Sequence, residues 1–289
     1  LRPMNYRHAF HAGNHCDVIK HVVLCLILDR LKAKGKPFAV LDTHAGRGLY
    51  DLTSEAALKT GEHAGGVAKV LADPAPPAAI RPYLDAVRRA NPFGGARWYP
   101  GSPVIVADAL RPGDSAKFCE LHPEERTALE GSLAGRRGVR VFDRDGYQAV
   151  RAFLPPTERR GLVLIDPPFE LPGEYDRLAD TLAEGLRRWA TGIFMIWRPV
   201  KDQAGWRGFL RATETIGDTL NLDLNIRGPV PDKLTGSGLF IVNPPYGLSA
   251  SLAEALPWLA TRLAIGPGAG WSLTERERGK IIREENAAA

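Results

Sequence analysis

Short apolar runs alternate along the chain with longer segments in which apolar residues recur every three or four positions. The first such segment, residues 14–34, predicts a helix that Asn14 can cap and that Gly35 ends. Seven short apolar runs predict strands at 38–42, 117–120, 139–145, 162–166, 193–197, 222–226 and 239–243. Strands that alternate with helices predict an α/β fold of the Rossmann-like, doubly wound type.

Two segments depart from this alternation. Residues 51–113 are about twice as long as a strand-helix-strand unit requires, and their helix-forming composition predicts an inserted helical subdomain in a main domain of residues 1–50 and 114–272. The connection between the last two predicted strands is too short for a parallel crossover, so these strands should pair antiparallel. The charged segment 273–289 is predicted to be a solvated tail or a loose helix.

Composition narrows the class of protein. Hydrophobic residues make up 44% and charged residues 25% of 289 positions, which is typical of a soluble globular protein. The net charge of +5 is compatible with a nucleic-acid partner without establishing one. The three cysteines form no C-x-x-C pair, and no apolar run approaches the length of a membrane span. These features predict a cytoplasmic protein without a disulfide framework or a cysteine zinc site.

Acidic residues stand at the ends of four successive predicted strands: Asp42, Glu120, Asp145 and Asp166. An acid in this position is often only a helix cap. Four in succession are harder to explain by capping, because ligands of open parallel sheets bind beyond the carboxyl ends of the strands. We therefore predict a ligand pocket at this edge.

The loop after the first strand narrows the choice of ligand. It reads A-G-R-G-L-Y from residue 45 and lacks the third glycine of the dinucleotide-binding motif. A loop of this kind, with Gly46 at its turn, suits a cofactor without phosphates. The acids could accept hydrogen bonds from ribose hydroxyls and an adenine amine, and one could attract a sulfonium. S-adenosyl-L-methionine has all of these groups.

The sequence D-P-P-F at residues 166–169 offers the reaction chemistry. Prolines lack an N–H and fix φ, so Asp166 and the carbonyl of Pro167 can converge on the two hydrogens of one planar amine. Phe169 can stack on the ring that carries this amine. A strand followed by a turn is the simpler interpretation of the motif alone. The similar N-P-P-Y at 243–246 follows the predicted antiparallel strand, so we assign it a structural role at the opposite rim.

Histidines concentrate near the N-terminus at positions 8, 11, 15 and 21. A metal site is one interpretation, and a metal hydrolase would then be the function. The histidines do not share one helical face, however, and Gly13 interrupts any helix, so we predict no metal. Tyr6, Arg7 and His8 offer a ring and charges, and we predict that they contact a nucleic acid. Simple packing of the N-terminus is the alternative.

Six motifs in this order resemble the RlmJ family, methyltransferases that modify an adenine N6 in large-subunit ribosomal RNA. They are Y-R-H-A-F-H-A-G-N-H-C-D-V-I-K-H, L-D-T-H-A-G-R-G, Y-P-G-S-P, E-L-H-P, D-G-Y and L-I-D-P-P-F. The resemblance implies a class I methyltransferase fold with a helical insertion, S-adenosyl-L-methionine as cofactor and 23S ribosomal RNA as substrate. It places at the cofactor Lys20, His21, His44, Ser102, Glu120, Asp145 and Gly146, in addition to Asp42 and Gly46 of the glycine turn.

The same resemblance makes Asp166 the catalytic acceptor and brings Tyr6 to the RNA. His44 replaces the first glycine of the usual methyltransferase turn, as it does in this family. Phe169 stands where the family more often has tyrosine, and phenylalanine at this place also occurs in enzymes that methylate guanine N2. Guanine-N2 and DNA adenine-N6 methyltransferases therefore stay as alternatives, and a non-catalytic RNA-binding protein is the alternative from another class. We expect a monomer.

Overall fold

The computed structural model describes residues 7–231, 233–277 and 280–287, so Tyr6 lies outside the described residues. The strands are β1 (Ala39–Asp42), β2 (Leu49–Asp51), β3 (Trp98–Pro100), β4 (Ser115–Cys119), β5 (Val139–Phe142), β6 (Gly161–Ile165), β7 (Ile193–Pro199), β8 (Thr219–Asn225), β9 (Gly236–Val242), β10 (Gly270–Glu277) and β11 (Lys280–Ala287). The helices are α1 (His15–Lys32), α2 (Glu55–Thr60), α3 (Glu62–Gly65), α4 (Val67–Leu71), α5 (Arg81–Ala90), α6 (Ser102–Ala109), α7 (Pro123–Ser132), α8 (Gly146–Phe153), α9 (Glu174–Arg188), α10 (Gln203–Ala212) and α11 (Leu248–Leu263).

One large sheet organises the described chain, in the order β11-β10-β8-β9-β7-β6-β1-β4-β5. Strands β5, β4, β1, β6 and β7 are parallel, and β9 runs antiparallel between β7 and β8. The seven predicted strands and the antiparallel pairing are therefore confirmed. The predicted total of seven was wrong, because the sheet has nine strands; β2 and β3 form a separate small sheet.

The two additional strands come from the C-terminal tail, where a solvated extension or a loose helix was predicted. Strand β10 pairs antiparallel with β8, and β11 pairs antiparallel with β10. Leu273 is buried in β10, whereas Ile281 and Ile282 on the outermost strand are more than half exposed. Both interpretations were wrong, because charged residues dominate this segment and leave few apolar positions to reveal the two-residue period of a strand.

Helix α1 forms as predicted, with the side-chain oxygen of Asn14 accepting hydrogen bonds from the backbone N–H groups of Cys16 and Asp17. Every residue from His15 to Leu28 is buried, so the helix is enclosed on all sides over this length. Apolar residues of the predicted insertion, such as Val67, Ile80 and Tyr83, belong to the same core cluster as this helix. The insertion is mainly helical as expected, and its status as a separate subdomain stays a prediction.

The direction of β9 decides the role of the N-P-P-Y sequence. Because β9 is antiparallel to β7, its carboxyl end lies at the rim opposite the ends of β1, β4 and β6. The side-chain amide of Asn243 donates hydrogen bonds to the carbonyls of Ala190 and Gly192, both at 2.8 Å. The predicted position of this second motif, at the rim opposite the D-P-P-F turn, is confirmed. Among the described residues no helix combines the length and the apolar character that crossing a membrane requires.

Candidate active site

Three of the four predicted acids meet at one edge of the sheet. Asp42 is the last residue of β1, and Glu120 and Asp166 directly follow β4 and β6, the strands on either side of β1. Asp145 follows β5 at the same edge and caps α8, where its Oδ1 accepts a hydrogen bond from the N–H of Gln148 at 2.9 Å. The parallel pairing therefore assembles a set of acids that are up to 124 positions apart in sequence.

The D-P-P-F turn lies at this edge beside β7. The side chain of Asp166 is 16% exposed, and Pro167 is buried. Phe169 adopts a left-handed φ of 51°, which is uncommon for a residue with a side chain. Its ring centroid lies 5.9 Å from that of Trp197, whose indole N–H donates a hydrogen bond to Ser237 Oγ at 2.8 Å. The turn thus places the Asp166 carboxylate close to the aromatic rings of Phe169 and Trp197.

Lys20 connects helix α1 to the D-P-P-F turn. Its Nζ lies 2.6 Å from Asp166 Oδ2 and 3.0 Å from Asp17 Oδ1. Burial alone would lower the pKa of Lys20, but the charges of Asp166 and Asp17 outweigh this effect and raise it well above its usual value. Lys20 is therefore a cation that holds the Asp166 carboxylate in place.

Asp17 contacts Lys20 at this site, and the sequence reasoning did not single it out. Its Oδ2 accepts a hydrogen bond from the backbone N–H of Gly13 at 2.9 Å and lies 2.8 Å from His8 Nε2. Burial raises the pKa of this carboxyl, yet the charges of His8 and Lys20 hold it well below its usual value. The signal available in the sequence was the spacing of three positions between Asp17 and Lys20, which places both on one helical face.

Glu120 braces the glycine turn. Its two carboxylate oxygens accept hydrogen bonds from the backbone N–H groups of Gly46 and His122, each at 2.8 Å. Gly46 has a φ of 63°, and a Cβ added there would lie 2.5 Å from the hydroxyl of Tyr50. Burial raises the pKa of Glu120. The turn is therefore held in a conformation that favours glycine, as the sequence predicted.

Asp42 is fully buried at the centre of the site. Its Oδ2 accepts a hydrogen bond from the Ser102 hydroxyl at 2.7 Å, and burial raises its pKa to about 7. The neighbouring His44 has a pKa lowered to about 4 by burial, and its Nδ1 lies 2.8 Å from Thr43 Oγ1. A Cβ on Gly146 would lie 2.2 Å from the carbonyl oxygen of Thr43, so no side chain fits there. The loops after β1 and β5 are thus in direct contact.

His21 has a polar atom without a partner. Its Nδ1 lies 2.8 Å from the hydroxyl of Tyr99, whereas its buried Nε2 has no hydrogen-bond partner. Burial lowers the pKa of His21 to about 3, so the ring is neutral. An unpaired buried nitrogen is costly unless it serves a ligand or a water molecule.

The N-terminal residues predicted to contact RNA differ in their exposure and in their partners. Arg7 is exposed and lies 3.4 Å from Glu124, whereas His8 is directed to the buried Asp17. His11 lies 3.0 Å from Glu62. Within the described part of the chain no group of three or more His, Cys, Asp or Glu could hold a metal ion. Each histidine of the N-terminal cluster thus has a protein partner of its own.

The residues at the carboxyl ends of β1, β4, β5 and β6 are of the chemical types that can bind S-adenosyl-L-methionine. Buried or half-buried carboxylates face the same edge, a glycine turn lets the backbone approach closely, and His21 Nε2 offers an unpaired polar atom. Lys20 and Asp166 lie where this edge of the sheet meets the D-P-P-F turn. The order of the strands, with one antiparallel strand between β7 and β8, is that of the class I S-adenosylmethionine-dependent methyltransferases.

Comparison with known proteins identifies the family. The sequence model described as "Ribosomal RNA large subunit methyltransferase D, RlmJ" matches residues 35–274, and the chain belongs to this family. It is 41% identical to Ribosomal RNA large subunit methyltransferase J of Escherichia coli (strain K12), over 90% of this chain and 94% of that protein. Its identity to the protein of the same name from Haemophilus influenzae is also 41%, over 93% and 98% of the two chains.

A solved structure agrees with this assignment. The crystal structure of protein LPL1258 from Legionella pneumophila str. Philadelphia 1 superimposes with a TM-score of 0.83 at 31% identity, covering 96% of this chain and 99% of that one. The methyltransferase fold, the family resemblance, the enzyme class and S-adenosyl-L-methionine as cofactor are thus confirmed. The residues assigned to the cofactor and to RNA stay predictions.

Proposed function

We propose that this protein transfers a methyl group from S-adenosyl-L-methionine to the exocyclic N6 of an adenine in 23S ribosomal RNA. The observation that carries the proposal is the position of Asp166 at the end of β6, between the acids of the cofactor side and the aromatic pair of Phe169 and Trp197. The two curated relatives are named ribosomal RNA large subunit methyltransferases.

The reacting nitrogen needs to be oriented. An exocyclic base amine is a weak nucleophile because its lone pair is delocalised into the ring. In the proposed mechanism Asp166 and the carbonyl of Pro167 accept one hydrogen each, which draws the nitrogen toward a tetrahedral geometry and directs its lone pair. This contribution consists of orientation and electrostatic placement, which do not require a covalent intermediate.

Lys20 gives Asp166 a fixed orientation. It binds Oδ2 at 2.6 Å, so Oδ1 is the oxygen that we assign to the base amine. After methyl transfer the amine must release one proton, and Asp166 is the nearest base in the proposed arrangement. The ion pair with Lys20 holds this carboxylate in one orientation at the end of β6.

Phe169 supplies the flat aromatic surface on which the target base can stack. Its ring packs at its edge against Tyr175 and Trp197, with centroid distances of 5.1 and 5.9 Å, so these two rings hold it in place. We propose that the target adenine leaves its stack in the RNA and lies against Phe169. A base stacked on an aromatic side chain gains about 1–3 kcal/mol.

The cofactor occupies the other half of the edge. S-adenosyl-L-methionine supplies an electrophilic methyl group when bound. We assign its binding to Asp42, His44, Gly46, Ser102, Glu120, Asp145 and Gly146, with Lys20, His21 and Asp166 on the side of the substrate. The buried Asp42 and Glu120 fix the glycine turn, and the partly exposed Asp145 is available to a ribose hydroxyl.

Guanine-N2 methylation is the second candidate, because Phe169 replaces the tyrosine that is more common in the family. One experiment separates the two reactions. Large-subunit RNA that lacks its modifications is incubated with the enzyme and labelled cofactor, digested to nucleosides and separated. Label in N6-methyladenosine supports the proposal, whereas label in N2-methylguanosine, or label that appears only when DNA replaces the RNA in the same assay, contradicts it. Mapping the labelled nucleotide in the intact RNA identifies the position.

The finer assignments belong to the same proposal. We propose a monomer that acts in the cytoplasm on free 23S RNA or on an early assembly particle. Assays on naked RNA and on isolated particles distinguish the two substrates. We also propose that residues 51–113 form a subdomain inserted into the methyltransferase domain, and that Arg7 and His8, with Tyr6 outside the described residues, lie on the path of the RNA.

A further inference from the structure

A buried arginine follows Trp197 along β7. Arg198 is only 1% exposed, which makes it one of the largest fully buried side chains of the described residues. Its Nη2 lies 2.5 Å from Asp223 Oδ1 in β8. Its Nε, which is also buried, has no hydrogen-bond partner among the described residues. A buried guanidinium with an unpaired donor is costly, so its presence next to the D-P-P-F turn requires an explanation.

The sheet makes room for this ion pair at a glycine. Gly238 of β9 lies opposite Arg198 of β7 on one side and opposite Asp223 of β8 on the other. A Cβ added to Gly238 would lie 2.8 Å from Arg198 Cζ and 2.5 Å from Asp223 Oδ1. The ion pair therefore crosses the middle strand directly over Gly238, and a side chain at this position would displace it.

Aromatic rings connect Arg198 to the D-P-P-F turn. The guanidinium Cζ lies 3.8 Å from the ring centroid of Trp206 in α10. The ring centroid of Trp206 lies 6.0 Å from that of Tyr175 in α9. Tyr175 in turn contacts Phe169, with 5.1 Å between the ring centroids. We call Trp206 and Tyr175 the support rings, because they fill the space between the ion pair and Phe169.

Tyr175 is held from several directions. Its hydroxyl donates a hydrogen bond to the carbonyl of Pro199 at 3.4 Å. A Cβ on Gly205 would lie 2.5 Å from the Tyr175 ring, so the first turn of α10 packs closely against this ring. Burial raises the pKa of the Tyr175 hydroxyl to about 12, and the positive charge of Arg198 acts in the opposite direction. The charge of Arg198 therefore acts on Tyr175 itself.

Phe169 depends on such support because its backbone is strained. Its φ of 51° lies in the left-handed region, and a residue with a side chain stays there only when its surroundings fix it. Trp197 contacts one side of the Phe169 ring, and Tyr175 provides the other contact. A change in the orientation of Tyr175 would therefore change the orientation of the surface that Phe169 offers to a base.

Stability of the fold is the alternative explanation for the ion pair. A buried ion pair is weak evidence for stability, because the cost of removing two charges from water offsets their attraction. Apolar side chains of similar volume are often equally stable in such places. The unpaired Nε of Arg198 adds to the cost. The contacts of Arg198 with the support rings thus favour a role in orientation over a role in stability.

We infer that Arg198 and Asp223 are positioning residues for methyl transfer. They act through the support rings and fix the ring of Phe169 against which the target base lies. This inference rests on the proposed function, in which Phe169 is the stacking surface. Neither positioning residue belongs to the six sequence motifs, and neither is assigned to contact the base or the cofactor.

The test removes both charges together. R198M/D223L leaves no unpaired buried charge, so its effect is not that of a broken ion pair. Its matched control is R97M/D51L, which removes an Arg–Asp pair with an N–O distance of 2.9 Å at the β2–β3 sheet. The guanidinium of Arg97 also lies over an indole ring, 4.9 Å from the centroid of Trp98. The melting temperature, the affinity for S-adenosyl-L-methionine and the single-turnover rate with saturating RNA are measured for each variant.

The decisive comparison repeats both variants in the Phe169→Ala background. In the wild-type background R198M/D223L should keep its melting temperature and its cofactor affinity and should methylate about tenfold more slowly, the scale of lost aromatic contacts. In the Phe169→Ala background the same change should slow the reaction by less than about twofold, because the ring that it positions is absent. The control should leave the rate unchanged in both backgrounds. A normal rate for R198M/D223L, or the same tenfold loss without Phe169, would overturn the inference.

A second variant covers the case in which R198M/D223L does not fold. Gly238→Ala keeps both charges and pushes them apart, and it should show the same dependence on Phe169. Independent effects of Gly238→Ala and Phe169→Ala would overturn the inference.

The inference and the proposed function can fail separately. If wild-type protein methylates adenine and Phe169→Ala is slow while R198M/D223L is normal, only the positioning role is refuted. If the dependence on Phe169 is observed and the label is in N2-methylguanosine, only the proposed reaction is refuted.

Discussion

Lys20 Nζ lies 2.6 Å from Asp166 Oδ2, which joins the first helix of the chain to a turn 146 positions later in sequence. The same ammonium lies 3.0 Å from the buried Asp17. This buried arrangement fixes the carboxylate that we propose as the acceptor of the base amine. It also links catalysis to the N-terminal segment, because His8 is bound to Asp17.

Replacing Asp166 tests the reacting group. Asp166→Ala should lower kcat by about 10²-fold or more, because one preorganised acceptor at the reacting centre is removed. Cofactor binding should stay measurable, since Asp42, Glu120 and the glycine turn are unchanged. Single-turnover methylation and calorimetry measure the two properties. Near-normal turnover in this variant would show that the site is assigned incorrectly.

Replacing Lys20 tests the buried ion pair. Lys20→Met should lower the free energy of unfolding by about 3–5 kcal/mol, because Asp17 is left charged and buried without its cation. The double variant Asp17→Asn/Lys20→Met should recover part of this loss, since the uncompensated charge is gone. Urea denaturation without cofactor gives both values. Additive effects of the two substitutions would indicate that the residues are not coupled.

Phe169 is predicted to act through its ring. Phe169→Ala should lower kcat/KM for RNA by roughly 5- to 150-fold, which corresponds to about 1–3 kcal/mol of stacking. Phe169→Tyr should stay within a few-fold of the wild type, because the stacking surface is kept. Phe169→Gly relieves the left-handed backbone and serves as the control. Activity that survives in both the Ala and Gly variants would exclude stacking on this residue.

The pKa of Asp42, raised to about 7 by burial, predicts a pH-dependent stability. Between the unfolded value near 3.8 and about 7 the folded state holds a proton that the unfolded state lacks, so the contribution of this group falls as pH rises through this window. Asp42→Asn stays neutral. The melting temperature of this variant relative to the wild type should therefore increase from pH 5 to pH 8, without cofactor. Parallel curves for the two proteins would contradict the prediction.

Truncations test the C-terminal strands. A chain ending at Glu277 lacks β11, whose Ile281 and Ile282 are 65% and 52% exposed, and its free energy of unfolding should change by less than about 1 kcal/mol. A chain ending at Ala269 also loses the buried Leu273 and uncovers the edge of β8. This shorter chain should unfold at a lower temperature and aggregate. Thermal melts with light scattering distinguish the two, and equal behaviour would argue against β10 as part of the sheet.

Much of the fold could be read from the sequence because the main determinants are local. The apolar runs of β1, β6 and β9 and the period of α1 are visible in single segments, and Asn14 caps its helix as predicted. The short β8–β9 connection was sufficient to predict antiparallel pairing. This pairing in turn predicted that D-P-P-F and N-P-P-Y lie at opposite rims of the sheet. The tail was misjudged because charged residues conceal the alternation of β10.

The sequence by itself determined the strand ends, the glycine turn, the D-P-P-F motif and the family. Each of these features is specified by neighbouring residues or by the order of motifs along the chain. Only the tertiary structure decided that Asp17 lies behind Lys20, that Trp197 and Ser237 support Phe169, and that Arg198 engages Asp223. These contacts join elements that are far apart along the chain. Their partners are selected by how helices and strands pack, and this information is absent from any single segment.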